Sequence, residues 1–156
     1  MNDISSSPFV NLQLYCIFKC QFDLITGDYF YAVSTNSYEG YEAFLISPFF
    51  TAIGKESVTF NYLNSRYTRF EVGWIPALGN NKTLNDLKYD DINMLMTTTS
   101  QAIQWSKRCV NLESTVGEIA LVFVHTSGVW NSKLTAVDTV KVFMDNCHGK
   151  YCFVRQ

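Results

Sequence analysis

A period of two runs along almost the whole chain, and it leaves little room for anything but sheet. Val58, Phe60 and Tyr62 alternate with Ser57, Thr59 and Asn61; Phe70, Val72 and Trp74 alternate with Glu71 and Gly73. Only a pleated strand sends successive side chains to opposite faces. Near the N-terminus Val10, Leu12, Leu14, Cys16 and Phe18 share one such face. Further strands are expected at 29–34, 42–47, 56–64, 68–75, 102–112, 118–126 and 136–145. Their β-branched and aromatic residues suit a half-buried pleated surface. Turn residues punctuate them: Thr26-Gly27-Asp28, Tyr38-Glu39-Gly40, Ser47-Pro48, Gly54-Lys55 and Ser127-Gly128. This pattern predicts an all-β fold, a two-sheet antiparallel β-sandwich of jelly-roll type. Residues 76–91 read as a polar surface connection with a short helical turn around 83–87.

With 156 residues the chain is expected to form one domain, 1–156, large enough for a proper core. A net charge of −2, with Lys107-Arg108 the densest basic cluster, argues against a nucleic-acid partner. No apolar run reaches the length of a membrane span, so direct membrane insertion is not expected. The opening residues lack a basic n-region, and Asn11 and Gln13 interrupt their apolar part. They do not read as a signal peptide; for a secreted chain a leader is expected upstream of Met1.

Five cysteines in a chain of this size point to an oxidising compartment. No Cys-x-x-Cys occurs and the two histidines stand far apart, which gives zinc little support. On one regular strand Cys16 and Cys20 would lie about 13 Å apart, against the roughly 4.4–6.8 Å a disulfide requires. Either the strand breaks between them or they pair elsewhere. Antiparallel terminal strands would pair Cys20 with Cys147 and Cys16 with Cys152. Cys109 falls on the face of Ile103 and Trp105 and reads as a buried free thiol. Asn81-Lys82-Thr83 is a glycosylation sequon in the polar connection.

Four islands resemble the MAM domain family, in its order. They are Phe22-Asp23 with Thr26-Gly27-Asp28-Tyr29-Phe30-Tyr31; residues 43–49, AFLISPF; residues 57–62, SVTFNY; and residues 120–124 with Ala136-Val137-Asp138. The resemblance spans 16–147. It departs at Ser57, where the family carries a cysteine, and at Thr139, where it carries a second aspartate. It implies a non-catalytic extracellular module, secreted or part of a receptor ectodomain. Adhesion, recognition of a protein partner or self-association would be its role. It also implies a local Cys16–Cys20 bridge and a calcium or sodium ion held through Asp23 and Asp138; no other cofactor is expected. Two carboxylates fall short of the six to eight oxygens of a calcium shell, so backbone carbonyls would supply the rest.

Asp138 shares an alternation face with Val140, Val142 and Met144, and an inward carboxylate must be paired, hydrogen-bonded or metal-bound. A cap on backbone N–H groups at the strand start is the simplest reading. His125 shares a face with Ile119, Leu121 and Phe123 and reads as a hydrogen-bonded core or edge residue. With Ser127 and Asp138 it only superficially suggests a triad, because no Gly-x-Ser-x-Gly elbow accompanies it. Trp74 and Trp105 read as core, whereas Trp130, in a loop, is a candidate partner anchor. The remaining aromatics, such as Tyr29, Tyr31 and Tyr41, leave open an alternative: a carbohydrate-binding sandwich accessory to an enzyme.

Overall fold

The computed structural model describes residues 13–15, 29–34, 41–128 and 133–147, with side chains from 42 to 128 and from 134 to 147. Within them β1 (Gln13–Tyr15), β3 (Tyr41–Ile46), β4 (Phe50–Ile53), β6 (Thr68–Pro76), β7 (Asn93–Thr98) and β9 (Val116–Ser127) build a six-stranded sheet. A four-stranded sheet holds β2 (Tyr29–Ser34), β10 (Lys133–Phe143), β5 (Ser57–Asn64) and β8 (Ala102–Asn111), in the spatial order β2-β10-β5-β8. Every pairing between described strands is antiparallel. The two sheets pack as the expected β-sandwich.

Strand β9 is the axis of the larger sheet. It pairs with β6 along one side, and with β3 and then β4 along the other. From Ile119 onward every β9 residue is buried. Its Ile119, Leu121 and Phe123 face the other sheet, beside Leu45, Phe70 and Val72. Across from them stand Val58, Phe60 and Tyr62 of β5 and Val137 and Val142 of β10. Phe60 meets Phe70 and Phe123 edge-on, at 6.0 and 5.4 Å between centroids, and Tyr62 stacks on Phe70 at 5.1 Å. Such geometry adds about 0.5–1.5 kcal/mol per pair beyond area burial.

The alternate residues of β9, Ala120, Val122 and Val124, belong to a second apolar cluster on the outer face of this sheet. Phe44, Ile46 and Ile75 join them, and Leu87 and Ile92 cover them. The polar connection expected at the surface is therefore a cover: its exposed residues face solvent while Leu87 and Ile92 are buried. It contains two 3-10 turns, Leu84–Asp86 and Tyr89–Asp91, the first within the expected helical region.

Two strands escaped the sequence pattern. The short β4 follows Pro48 and carries one buried residue, Ala52. In β7, Asn-Met-Leu-Met has weak strand propensity. A bulge opposite Val72 and Gly73 breaks its alternation as well, pairing them with Met96 and Met94. Gly73 is required there: a Cβ would meet Ile92 Cγ2 at 2.6 Å and the Asn93 carbonyl oxygen at 2.7 Å.

Two side-chain assignments are also overturned. Between β10 and β5 the register advances from Asp138↔Asn61 to Lys141↔Thr59, which places one extra residue on β10. Thr139 adopts a positive φ of 52° at that point. Thr135 and Val137 face the other sheet before the bulge and Val142 does after it, so Asp138, opposite Asn61, lies on the outer face. The alternation that grouped it with Val142 and Met144 is broken by Thr139. Between β8 and β5, Ala102↔Asn64 is followed by Ser106↔Tyr62, which loops two extra residues out of β8. The even residues of β8 pair with core-facing Val58, Phe60 and Tyr62, so Trp105, 44% exposed, and Ile103, 78%, lie on the outer parity rather than in the core.

Cys109 is not a free thiol. It forms a disulfide with Cys147, with the Cα atoms 5.9 Å apart. Its register partner Thr59 lies on the outer face of the smaller sheet, opposite to Phe60 and Tyr62. The segment after β10 lies along that face, and Asn111 Oδ1 accepts the Cys147 N–H at 2.7 Å. A Cys20–Cys147 bridge is thereby excluded; Cys16, Cys20 and Cys152 lie outside the described residues.

Candidate binding surface

On the outer face of the larger sheet two cross-strand rows lie side by side. One runs Glu42–Thr126–Arg69 and the other Phe44–Val124–Glu71–Thr97. The sheet register brings these polar groups together beside the apolar cluster. Glu71 is 2% exposed. The Tyr89 hydroxyl lies 2.8 and 2.9 Å from its two carboxylate oxygens, Thr97 donates at 3.0 Å and Arg69 Nε at 3.1 Å. The Arg69 guanidinium also lies 5.5 Å from the Tyr89 ring centroid. A buried carboxylate is tolerable only when satisfied in this way. Its chemical role is to hold the cover down, because Tyr89 belongs to the second 3-10 turn.

Charge in this row is uneven. Burial raises the Glu42 carboxyl above its usual range; Arg69 opposes the shift, and Glu71 and Asp90 add to it. Burial raises the Tyr89 hydroxyl as well, helped by its hydrogen bond to Glu71.

Beneath the first half of the cover lies a cavity of about 460 Å³. Ile75, Pro76, Leu78 and Leu87 give it apolar walls, and Asn81 and Thr83 of the sequon stand at it. A turn closed by the Lys82 N–H to the Gly79 carbonyl, 3.0 Å, presents the exposed Asn81. The Asp86 carboxylate accepts the Thr83 N–H at 2.8 Å and the Thr83 hydroxyl at 3.0 Å, and these bonds, the backbone one foremost, lower its pKa.

The third feature is the edge strand β8. Among the described residues no strand pairs with its far side. Ile103, Gln104 and Trp105, at its bulge, are exposed to solvent, with Lys107 exposed beyond them. Exposed aromatics are the side chains that most often anchor interfaces. The sequence pattern puts the face of Ile103 and Trp105 in the core, whereas the even residues of β8 are the ones that pair with core-facing Val58, Phe60 and Tyr62.

The remaining sequence candidates are dispersed. Asp138 Oδ1 accepts the N–H of Thr139 at 2.6 Å, a local cap. Asp23 and Trp130 lie outside the described residues. Among the described residues no group of three or more His, Cys, Asp or Glu could hold a metal ion. His125 faces the inter-sheet space, with Nδ1 2.7 Å from Thr135 Oγ1. Thr135 donates onward to Asn64 Oδ1 at 3.0 Å, so it accepts from His125 and fixes the imidazole proton on Nδ1. Asn64 in turn donates to the carbonyls of Thr68 and Ser100. His125 is thus a strut within the sandwich, and Asp138, on the outer face of the other sheet, is no partner for it.

Two antiparallel sheets around an aromatic core, with a covered outer face on the larger one, define a β-sandwich. The family profile "MAM domain, meprin/A5/mu" matches residues 21–148, and the chain belongs to that family. No curated protein matches it. Among solved structures it is similar to the K3 adhesin domain of Lys-gingipain from Porphyromonas gingivalis, at 14% identity and TM-score 0.52 over 74% of this chain and 72% of that one. It is also similar to TmCBM61, solved with β-1,4-galactotriose, at 11% identity and TM-score 0.54 over 90% and 93%. The glycoside hydrolase domain of Endo-D from Streptococcus pneumoniae matches at 11% identity and TM-score 0.52, over 86% of this chain and 21% of that one. Identities this low speak for the fold alone.

Proposed function

We propose that this chain is a non-catalytic recognition module of an extracellular protein, binding a protein partner or a second copy of itself. MAM domains are extracellular adhesion-type modules, and no helix among the described residues is long and apolar enough to cross a membrane. The observation that carries the reading is strand β8, where Ile103 is 78% and Trp105 44% exposed at the end of the described strand order. The loop bearing Trp130 is a second contact candidate. The test is binding of the purified chain to cell surfaces, together with its mass in solution by light scattering. Trp105→Ala should weaken either by tenfold or more, as loss of an interface anchor does. Unchanged binding and mass would remove β8 from the interface.

A carbohydrate-binding role is the second reading, supported by the shared fold with TmCBM61. Specific retention on a glycan array would favour it over the first. A calcium or sodium ion at Asp23 and Asp138 is a separate proposal. Calorimetry with calcium on the wild type and Asp138→Ala decides it, since no heat from either would remove the site.

A further inference from the structure

We propose that Asn81 carries an N-linked glycan whose first N-acetylglucosamine folds back into the cavity beside it. Three observations converge. Asn81 is exposed on a closed turn and stands at a cavity of about 460 Å³. That volume falls within the roughly 300–1,000 Å³ of small-molecule pockets. The walls are mixed in the sense a sugar needs: Ile75, Leu78 and Leu87 offer apolar surface to the ring face and acetamido methyl, and Asn80 and Lys82 offer polar groups to its hydroxyls. An occupant tethered at the rim is also held near its seat without a second binding partner, which raises its effective concentration there.

The chemistry is ordinary transfer. Asn81 Nδ2 attacks C1 of a lipid-linked oligosaccharide, the N–C1 bond forms, the C1–O bond to the diphosphate breaks, and the amide proton passes to the transferase base. The sugar would then lie under the same cover that Leu87 anchors. A glycan seated there makes residues 76–87 part of the folded surface of the domain instead of a plain connection.

The inference rests on the extracellular reading. Its test therefore supplies a leader to the full chain in glycosylating eukaryotic cells, so that an unmodified Asn81 counts against this site alone. The Trp105 binding assay judges the extracellular recognition reading separately. Peptide mass mapping should find Asn81 glycosylated. After trimming to a single sugar, the protein should melt about 2–4 °C above Asn81→Gln, the shift that roughly 1 kcal/mol gives in a chain this size. Leu78→Glu, placed in the cavity wall, should erase that difference. An unmodified Asn81, equal melting of the one-sugar and Gln forms, or a difference that survives Leu78→Glu would each overturn the proposal.

Discussion

The Tyr89 hydroxyl sits astride the Glu71 carboxylate, 2.8 and 2.9 Å from its two oxygens, and so ties the cover to the sheet. Replacing Tyr89 with Phe keeps the ring and deletes the donor. Glu71 would remain buried with only Thr97 and Arg69. Hydrogen bonds to charged groups contribute about 1.5–3 kcal/mol, and urea unfolding of Tyr89→Phe should show a loss of that order. A spectroscopic titration supplies a second check. Its folded-state pKa is raised above the 10.0 of a free tyrosine, so the contribution is whole below pH 10 and fades as the pH rises through the folded value. Tyr89 should ionise above the range of a free tyrosine, and earlier in Glu71→Gln.

Glu42 shows the same physics in a carboxyl. Burial raises its pKa above 4.5, so the folded state binds its proton more tightly than the unfolded chain does. Its contribution is whole below the unfolded value and declines as the pH rises through the folded one. Glu42→Gln should therefore be more stable than the wild type at neutral pH, with the two stability curves converging below about pH 4. Parallel curves across the whole range would contradict this assignment.

The disulfide closes a long loop: Cys109 and Cys147 are 38 residues apart in sequence. Loop-closure entropy puts its contribution at roughly 3–4 kcal/mol. Cys109→Ser or reduction should lower the denaturation midpoint accordingly. Hydrogen exchange should speed up first at residues 144–147, which the bond and the Asn111 contact hold to β8.

Gly73→Ala should cost about 1–3 kcal/mol, the usual penalty of overpacking. The added methyl runs into Ile92 and the backbone of Asn93, where the cover enters β7. Calorimetric melting measures the loss, and Gly79→Ala, which meets nothing within 4 Å, is the matched control.

The two-sheet architecture was legible because β5 and β6 alternate and β9 carries a short, β-branched and aromatic apolar run bounded by polar residues. What escaped detection was which parity faces the core wherever the strand does not declare it. One inserted residue at Thr139 turned Asp138 from an inward to an outward group. The two residues looped out of β8 leave its parity unchanged: Ile103, Trp105 and Cys109 share one parity, and it is the outer one, because the even residues pair with the core-facing Val58, Phe60 and Tyr62. A period of two carries no signal of where it slips, because the slip depends on the partner strand. The cover was misread for a related reason: Leu87 and Ile92 are isolated apolar residues in a polar run, and only the doubly buried β9 reveals that both of its faces need covering. The cavity at Asn81 follows from that cover and has no signature of its own in the sequence.

A last consequence concerns mechanical load. Any pull that enters through residues beyond Cys147 reaches a covalent link to Cys109 before it reaches the last residues of β10. The link passes the force into β8, on the far side of β5 from β10. Peeling β10 away residue by residue is thereby blocked, and the load is spread across β8, β5 and β10 together. A module that holds two surfaces together would resist tension for as long as that bond stays oxidised.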